Sequence, residues 1–267
     1  MSQTERAIRH LDTNTMPLTD VSIEYGTEGL LIRFDNAVDS LELDESERVL
    51  IYDSLKLALD LHSNDKRTYE PYANHIIRVA LRLIENLKIK DAVTIAASLL
   101  HDSIEDHPRE LAAQFLDKET PRSPHATRRL GVLGLRAFAS QYEDAEDLPD
   151  IILEVSNPIL AEGDDKKVVY ERHINQLMHH GLPMAKMIKI ADLYDNTDVP
   201  DDLEDPEKRR KMDEKQEPIF AHVEAGLTDP NAEIPIFARD AMILAFRRNH
   251  QRARRRMGEE SSELKSA

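Results

Sequence analysis

The sequence predicts a mostly α-helical protein carrying a short amino-terminal β-hairpin. Three observations carry that expectation. Apolar residues recur at helical spacing from about residue 45 onward. Aromatic residues make up only 5% of the chain and Trp is absent, so the core must be aliphatic. The one stretch with strand-like alternation about a glycine-containing turn lies near the start. A chain of 267 residues is long enough to bury a sizeable core as one domain.

Residues 1–18 are polar. Asp20 to Phe34 reads as two short strands around a turn from Gly26 to Gly29. From Glu45, the residues Val49, Leu50, Leu55, Leu57, Ala58 and Leu61 form a broad apolar helical face. Pro71 stands where it can open the next helix, whose face carries Ile76, Val79, Ala80, Leu83 and Leu87. Asp91 suits the N-cap of a very apolar segment running to His107. Pro108 starts a further helix, residues 117–127 with two prolines read as a loop, and an amphipathic stretch spans Arg128 to Tyr142. After an acidic connector and a short element, a helix from Lys166 is closed by Gly181, and Leu182 to Asn196 forms a second core segment. Residues 198–215 are too charged to be core. The last helix, Pro235 to Arg256, carries Ile236, Phe237, Met242, Ile243, Leu244 and Phe246. The expected division is an extension with the hairpin over 1–44, a core over 45–200, and carboxy-terminal helices with a basic, partly disordered tail over 201–267.

Composition excludes several classes. Without cysteine there is no disulfide framework and no thiolate catalysis or ligation. No apolar run approaches the roughly 18 residues of a membrane span, and the first residues do not read as a secretory signal; a cytoplasmic protein is expected. A formal charge of −16 argues against broad nucleic-acid binding. The basic run from Arg247 to Arg256 leaves a local polyanion contact open.

The informative residues are polar ones inside apolar helices. His101, Asp102, Glu105 and Asp106 end the segment opened by Asp91, and the three carboxylates share one side at i,i+3 and i,i+4 spacing. Crowding like charges on a largely buried helix costs stability unless a cation or proton offsets them. Asp192 directly follows the mostly apolar stretch Ile188–Ala191, with Asn196 one turn later on the same face, and His75 lies beside Ile76 and Val79. Two imidazoles and two carboxylates suit Mn²⁺, Fe²⁺ or Zn²⁺. Open positions on such an ion would support metal-assisted hydrolysis of a phosphate.

At these residues the sequence resembles the HD-domain metal-dependent phosphohydrolases. The segments YEPYANHIIRVA, AASLLHDSIEDH and KMIKIADLYDN each resemble part of the hydrolase domain of the RelA/SpoT family and its small alarmone hydrolases, over roughly residues 50–200. The resemblance implies a single helical HD fold and one divalent ion, most often Mn²⁺, held by His75, His101, Asp102 and Asp192. It implies that Glu105 and Asp106 handle the attacking water, and that Asn196, Lys66 and Arg67 face the nucleotide. The implied reaction removes the 3′-diphosphate of guanosine tetraphosphate or pentaphosphate as pyrophosphate, by a hydrolase without a synthetase domain. Leu193 stands where the family usually has a basic residue, and Thr197 and Asp198 where an Arg is common. These departures keep open another nucleotide or phosphate ester as substrate. A third possibility is a nucleotide-binding regulatory module without turnover.

Overall fold

The computed structural model describes residues 13–117, 122–198, 205–232 and 234–263, and contains no strand among them; their single extended pairing is an isolated bridge between Lys66 and Pro71. The mostly helical expectation holds, and the hairpin does not. Leu18–Asp39 is helix α1, bent at Gly26, whose φ of 62° and ψ of −155° leave the helical region. A strand would place Val21 and Ile23 on one face, yet Val21 is fully buried and Ile23 is 54% exposed. Beyond the bend, Leu30, Phe34, Ala37 and Val38 are buried at helical spacing. The glycine read as a turn therefore serves as a kink, in a backbone conformation that side chains disfavour.

Helix α2 (Glu45–Leu61) opens with a capping box, in which Asp44 accepts from the Glu47 backbone and Glu47 from that of Asp44. Helix α3 (Tyr72–Leu81) starts after Pro71 and widens into a π-helical turn, Arg82–Leu87. Asp91 caps α4 (Ala92–Leu99), accepting from the Thr94 amide at 2.7 Å. The segment expected to continue as one helix breaks here, and a short helix α5 (Ser103–Asp106) follows. Next come α6 (Pro108–Leu116), α7 (Pro124–Ala139), α8 (Leu148–Val155), α9 (Lys166–His180) and α10 (Pro183–Thr197). Helices α11 (Pro206–Gln216), α12 (Phe220–Leu227) and α13 (Ile236–Glu263) complete the order.

Helix α10 is the axis of the core. Every residue from Ala185 to Asp195 is buried, and α3, α4, α8, α9 and α12 pack around it. A helix enclosed on all sides must satisfy its polar residues internally, and Lys186, Lys189, Asp192 and Asp195 are all on it. One buried apolar cluster reaches from Leu18 in α1 to Phe246 in α13. The highly charged stretch expected to lie outside the core contributes to it in part. Arg209 of α11 is buried and donates to the Thr197 carbonyl at 3.0 Å, while buried Asp213 accepts from Arg256. Conversely, Ile236, Phe237 and Leu244 of α13 are exposed. Among the described residues, no helix is long and apolar enough to cross a membrane.

Helices α6 and α7 meet backbone to backbone. A Cβ added at Gly134 would lie 2.5 Å from the Leu111 carbonyl oxygen, and one at Gly131 2.7 Å from Pro108 Cα. Gly134→Ala is therefore expected to destabilise the protein by about 1–3 kcal/mol through overpacking, despite the better helix propensity of Ala. A lowered urea midpoint would register it, with Leu133→Ala on the exposed face shifting it by less than about 0.5 kcal/mol.

Candidate metal centre

Three helices bring together the polar residues that stood out in the sequence. His75 comes from the first turn of α3, His101 and Asp102 from the break between α4 and α5, and Asp192 from the middle of α10. His75, His101 and Asp192 are buried and each offers one ligand-type atom, all within 4.8 Å of one another. His75 Nε2 lies 3.4 Å from Asp192 Oδ1, and His101 Nε2 lies 4.0 Å from the same oxygen and 2.9 Å from Asp102 Oδ2. The His75 and His101 rings stand edge to face, 5.4 Å between centroids.

Each imidazole is oriented by its other nitrogen. His101 Nδ1 donates to the Ser98 carbonyl at 2.8 Å, and His75 Nδ1 donates to Asp195 at 2.9 Å. Both Nε2 atoms are thereby directed at the shared point, the tautomer control expected of metal-binding histidines. The fit of a cation can be tested on His101 Nε2, which is buried and has no hydrogen-bond partner among the described residues. That atom faces two carboxylates and a second imidazole, Asp102 being its ion-pair partner at 2.9 Å, and His75, His101 and Asp192, with Asp102 against them, could hold a metal ion. The donor set suits a borderline or hard metal.

The charges follow the same plan. Burial alone would raise the Asp192 carboxyl, but the Lys189 ammonium at 3.0 Å and the two imidazoles hold it well below the usual range. Asn196 adds a donor to Asp192 Oδ1 at 2.6 Å, as its one-turn spacing predicted. Asp102 is likewise held low against burial, by His101, and accepts from the Tyr72 hydroxyl. Burial disfavours the His101 imidazolium, yet Asp102 and Asp192 push its pKa up to about 9, so a metal ion would displace a proton there.

The other expected residues divide. Arg67 reaches the centre by donating to Asn196 Oδ1, and its second terminal nitrogen lies 3.6 Å from the Asp195 carboxylate. Lys66 is exposed. Glu105 turns toward Asn157, accepting from its backbone and side-chain amides at 3.0 Å. Asp106 is pushed up to about 6 by burial and by the nearby carboxylates of Asp102 and Glu105. Lys189 serves the centre, whereas Lys186 pairs with Asp229 instead. Leu193 is buried, and Asp198 anchors Arg82 at 3.1 Å.

Several residues of the centre escaped the sequence reading. Asp195 has a fully buried side chain and accepts from Arg78 and Arg82, each at 2.9 Å. Arg78 in turn pairs with Glu70 at 2.6 Å and donates to Ser22 of α1 at 3.0 Å. Two half-buried cations lie within electrostatic reach of these groups, Lys215 of Lys189 and Arg128 of Glu105. Burial and the neighbouring Lys189 push Lys215 down, with Asp192 and Glu105 acting against that. Burial pushes Arg128 down against Glu105.

Burial acts to raise Asp195 and Glu70, but the arginines hold both below their ordinary values. Their stabilisation is therefore present above the unfolded carboxyl range, about pH 4, and is lost as pH falls through the depressed folded values. Asp195→Asn removes the buried carboxylate that Arg78 and Arg82 share, leaving them only Glu70 and Asp198, and is expected to cost about 3–5 kcal/mol at pH 7. Urea unfolding at pH 7 and pH 3 should show a smaller acid-induced loss in the variant than in the parent. No family model matches this chain, and no curated protein matches it.

Proposed function

We propose that the protein is a metal-dependent phosphohydrolase that removes the 3′-diphosphate of guanosine tetraphosphate or pentaphosphate. The observation that carries this reading is the convergence of His75, His101 and Asp192 from three helices on one buried point, with Asp102 against it. A divalent ion there, Mn²⁺ by the family resemblance, would supply Lewis-acid polarisation of a phosphoryl oxygen and a lowered pKa for water.

The chain's own residues would do the rest. Asp106, with its proton affinity raised toward neutrality, is suited to accept the proton of an attacking water. Glu105, fixed by the backbone and side-chain amides of Asn157, is suited to orient that water. Tyr72 holds Asp102, and Asp195 holds His75, so neither ligand must reorganise during the reaction. Arg67, beside Asn196, and the buried Lys189 offer positive charge to a polyphosphate. Water adds to the phosphorus of the 3′-diphosphate, the bond to the ribose 3′ oxygen breaks, and pyrophosphate leaves with a proton returned to the 3′ oxygen.

Incubation with guanosine tetraphosphate and Mn²⁺ is expected to yield guanosine 5′-diphosphate and pyrophosphate, with activity lost on chelation and restored by Mn²⁺. Asp102→Ala should lose both bound metal and activity. Asp106→Asn should keep the metal and lose about 10²–10⁴-fold in kcat. Undiminished hydrolysis by metal-free Asp102→Ala would refute the metal mechanism. Release of phosphate from another nucleotide in a panel, with guanosine tetraphosphate left intact, would move the substrate to the second reading that Leu193 keeps open.

A further inference from the structure

A second set of ligand-type atoms lies outside this centre. His62 directly follows α2, Asp65 lies in the loop before α3, and His107 stands between α5 and α6. Asp65 Oδ2 is 2.8 Å from His62 Nδ1 and 2.7 Å from His107 Nε2, and the two ring nitrogens are 3.2 Å apart. Two imidazole nitrogens bound to a tetrahedral zinc, each about 2.0–2.1 Å from it, stand roughly 3.3 Å apart. The nitrogen–nitrogen distance thus already matches a shared ion, and the carboxylate needs only a small outward turn to join it.

The surroundings favour a cation. His62 is buried, and burial lowers its pKa against the Asp65 contact that raises it. Its plane is fixed by stacking on Tyr72, with centroids 4.9 Å apart, and by an edge contact with His107 at 4.4 Å. The Asp65 carboxyl is held below its usual value by both imidazoles against the effect of burial. Its side chain is 37% exposed, which leaves the group open to water on one side. Glu110 lies 3.8 Å from His107 Nδ1, the nitrogen not used in the cluster, where it can orient that ring.

We propose that His62, Asp65 and His107 form a second divalent-cation site of the zinc type, two imidazoles and one carboxylate with an open position, distinct from the centre at Asp192. Such an ion would clasp the loop that carries Arg67 to the turn that carries Glu105 and Asp106. Tyr72, stacked on His62 and donating to Asp102, joins the two sites.

The test uses the full chain, stripped by a chelator and then equilibrated with Zn²⁺ alone, with bound metal counted by elemental analysis after desalting. Two equivalents are expected for the parent, and one each for His107→Ala and Asp192→Ala. Co²⁺ in place of Zn²⁺ should give the visible absorption of a tetrahedral site, lost in His107→Ala and kept in Asp192→Ala. If His107→Ala fails to give the parent's circular dichroism, Asp65→Asn takes its place with the same readouts. Equal metal content in the parent and the folded variant overturns the second site. A single equivalent, removed by His107→Ala and untouched by Asp192→Ala, supports it while refuting metal binding at the first centre.

Discussion

A carboxylate without access to water stays ionised only where cations replace the solvent at close range, and Asp195 is held in this way. Arg78 and Arg82 each approach it to 2.9 Å, and His75 Nδ1 donates to it at 2.9 Å. Toward the core, this carboxylate fastens α10 to α3. Through Arg78 it extends to Glu70 and to Ser22, so that α1 enters the same network. Toward the centre, it fixes the His75 ring so that Nε2 faces Asp192. Apolar residues of similar volume would join these helices at least as well. They would not orient an imidazole, and that is the property the buried charges add.

The sequence made the fold legible where periodicity and end signals agree. Pro71 before α3 and Asp91 before α4 mark helix starts because each meets a specific backbone requirement. Legibility failed at α1, where a few alternating residues with two glycines fit both a hairpin and a kinked helix, and packing against α3 decides. It also failed at α11, since Arg209 and Asp213 look like solvated charges until Thr197 and Arg256 are placed beside them.

At the site, His75, His101, Asp102 and Asp192 were visible as polar residues in apolar surroundings, and Asn196 by its spacing from Asp192. Asp195, Arg78 and Glu70 were not read, because a charged residue carries no mark of whether water or another charge will neutralise it. A signal was nonetheless present. Arg78 and Arg82 follow His75 at i+3 and i+7, and Asp195 follows Asp192 at i+3, within helices that are otherwise apolar. Opposite charges at matching heights on two core helices are what a buried pair requires. His62 and His107 gave no such signal, since 45 residues separate them and only the fold brings their rings together.

The acidity of the chain and the proposed polyphosphate substrate can be reconciled by local charge. Asp102 and Asp192 are both held ionised, so together they would cancel the charge of a divalent ion and leave nothing over to attract an anion. Lys189 changes that balance. It is buried, and although desolvation opposes its charge, Asp192 keeps it protonated. In the loaded centre Lys189 would then offset part of the negative charge that Glu105 and Asp106 add, inside a low-dielectric wall where charges are screened far less than on the surface. A net charge of −16 describes the exterior a macromolecular polyanion would meet. On the proposed reading, a small phosphate ester that reaches the centre meets Lys189 instead of that exterior, so a basic side chain at position 193, where this chain has Leu193, is not the site's sole means of attracting an anion.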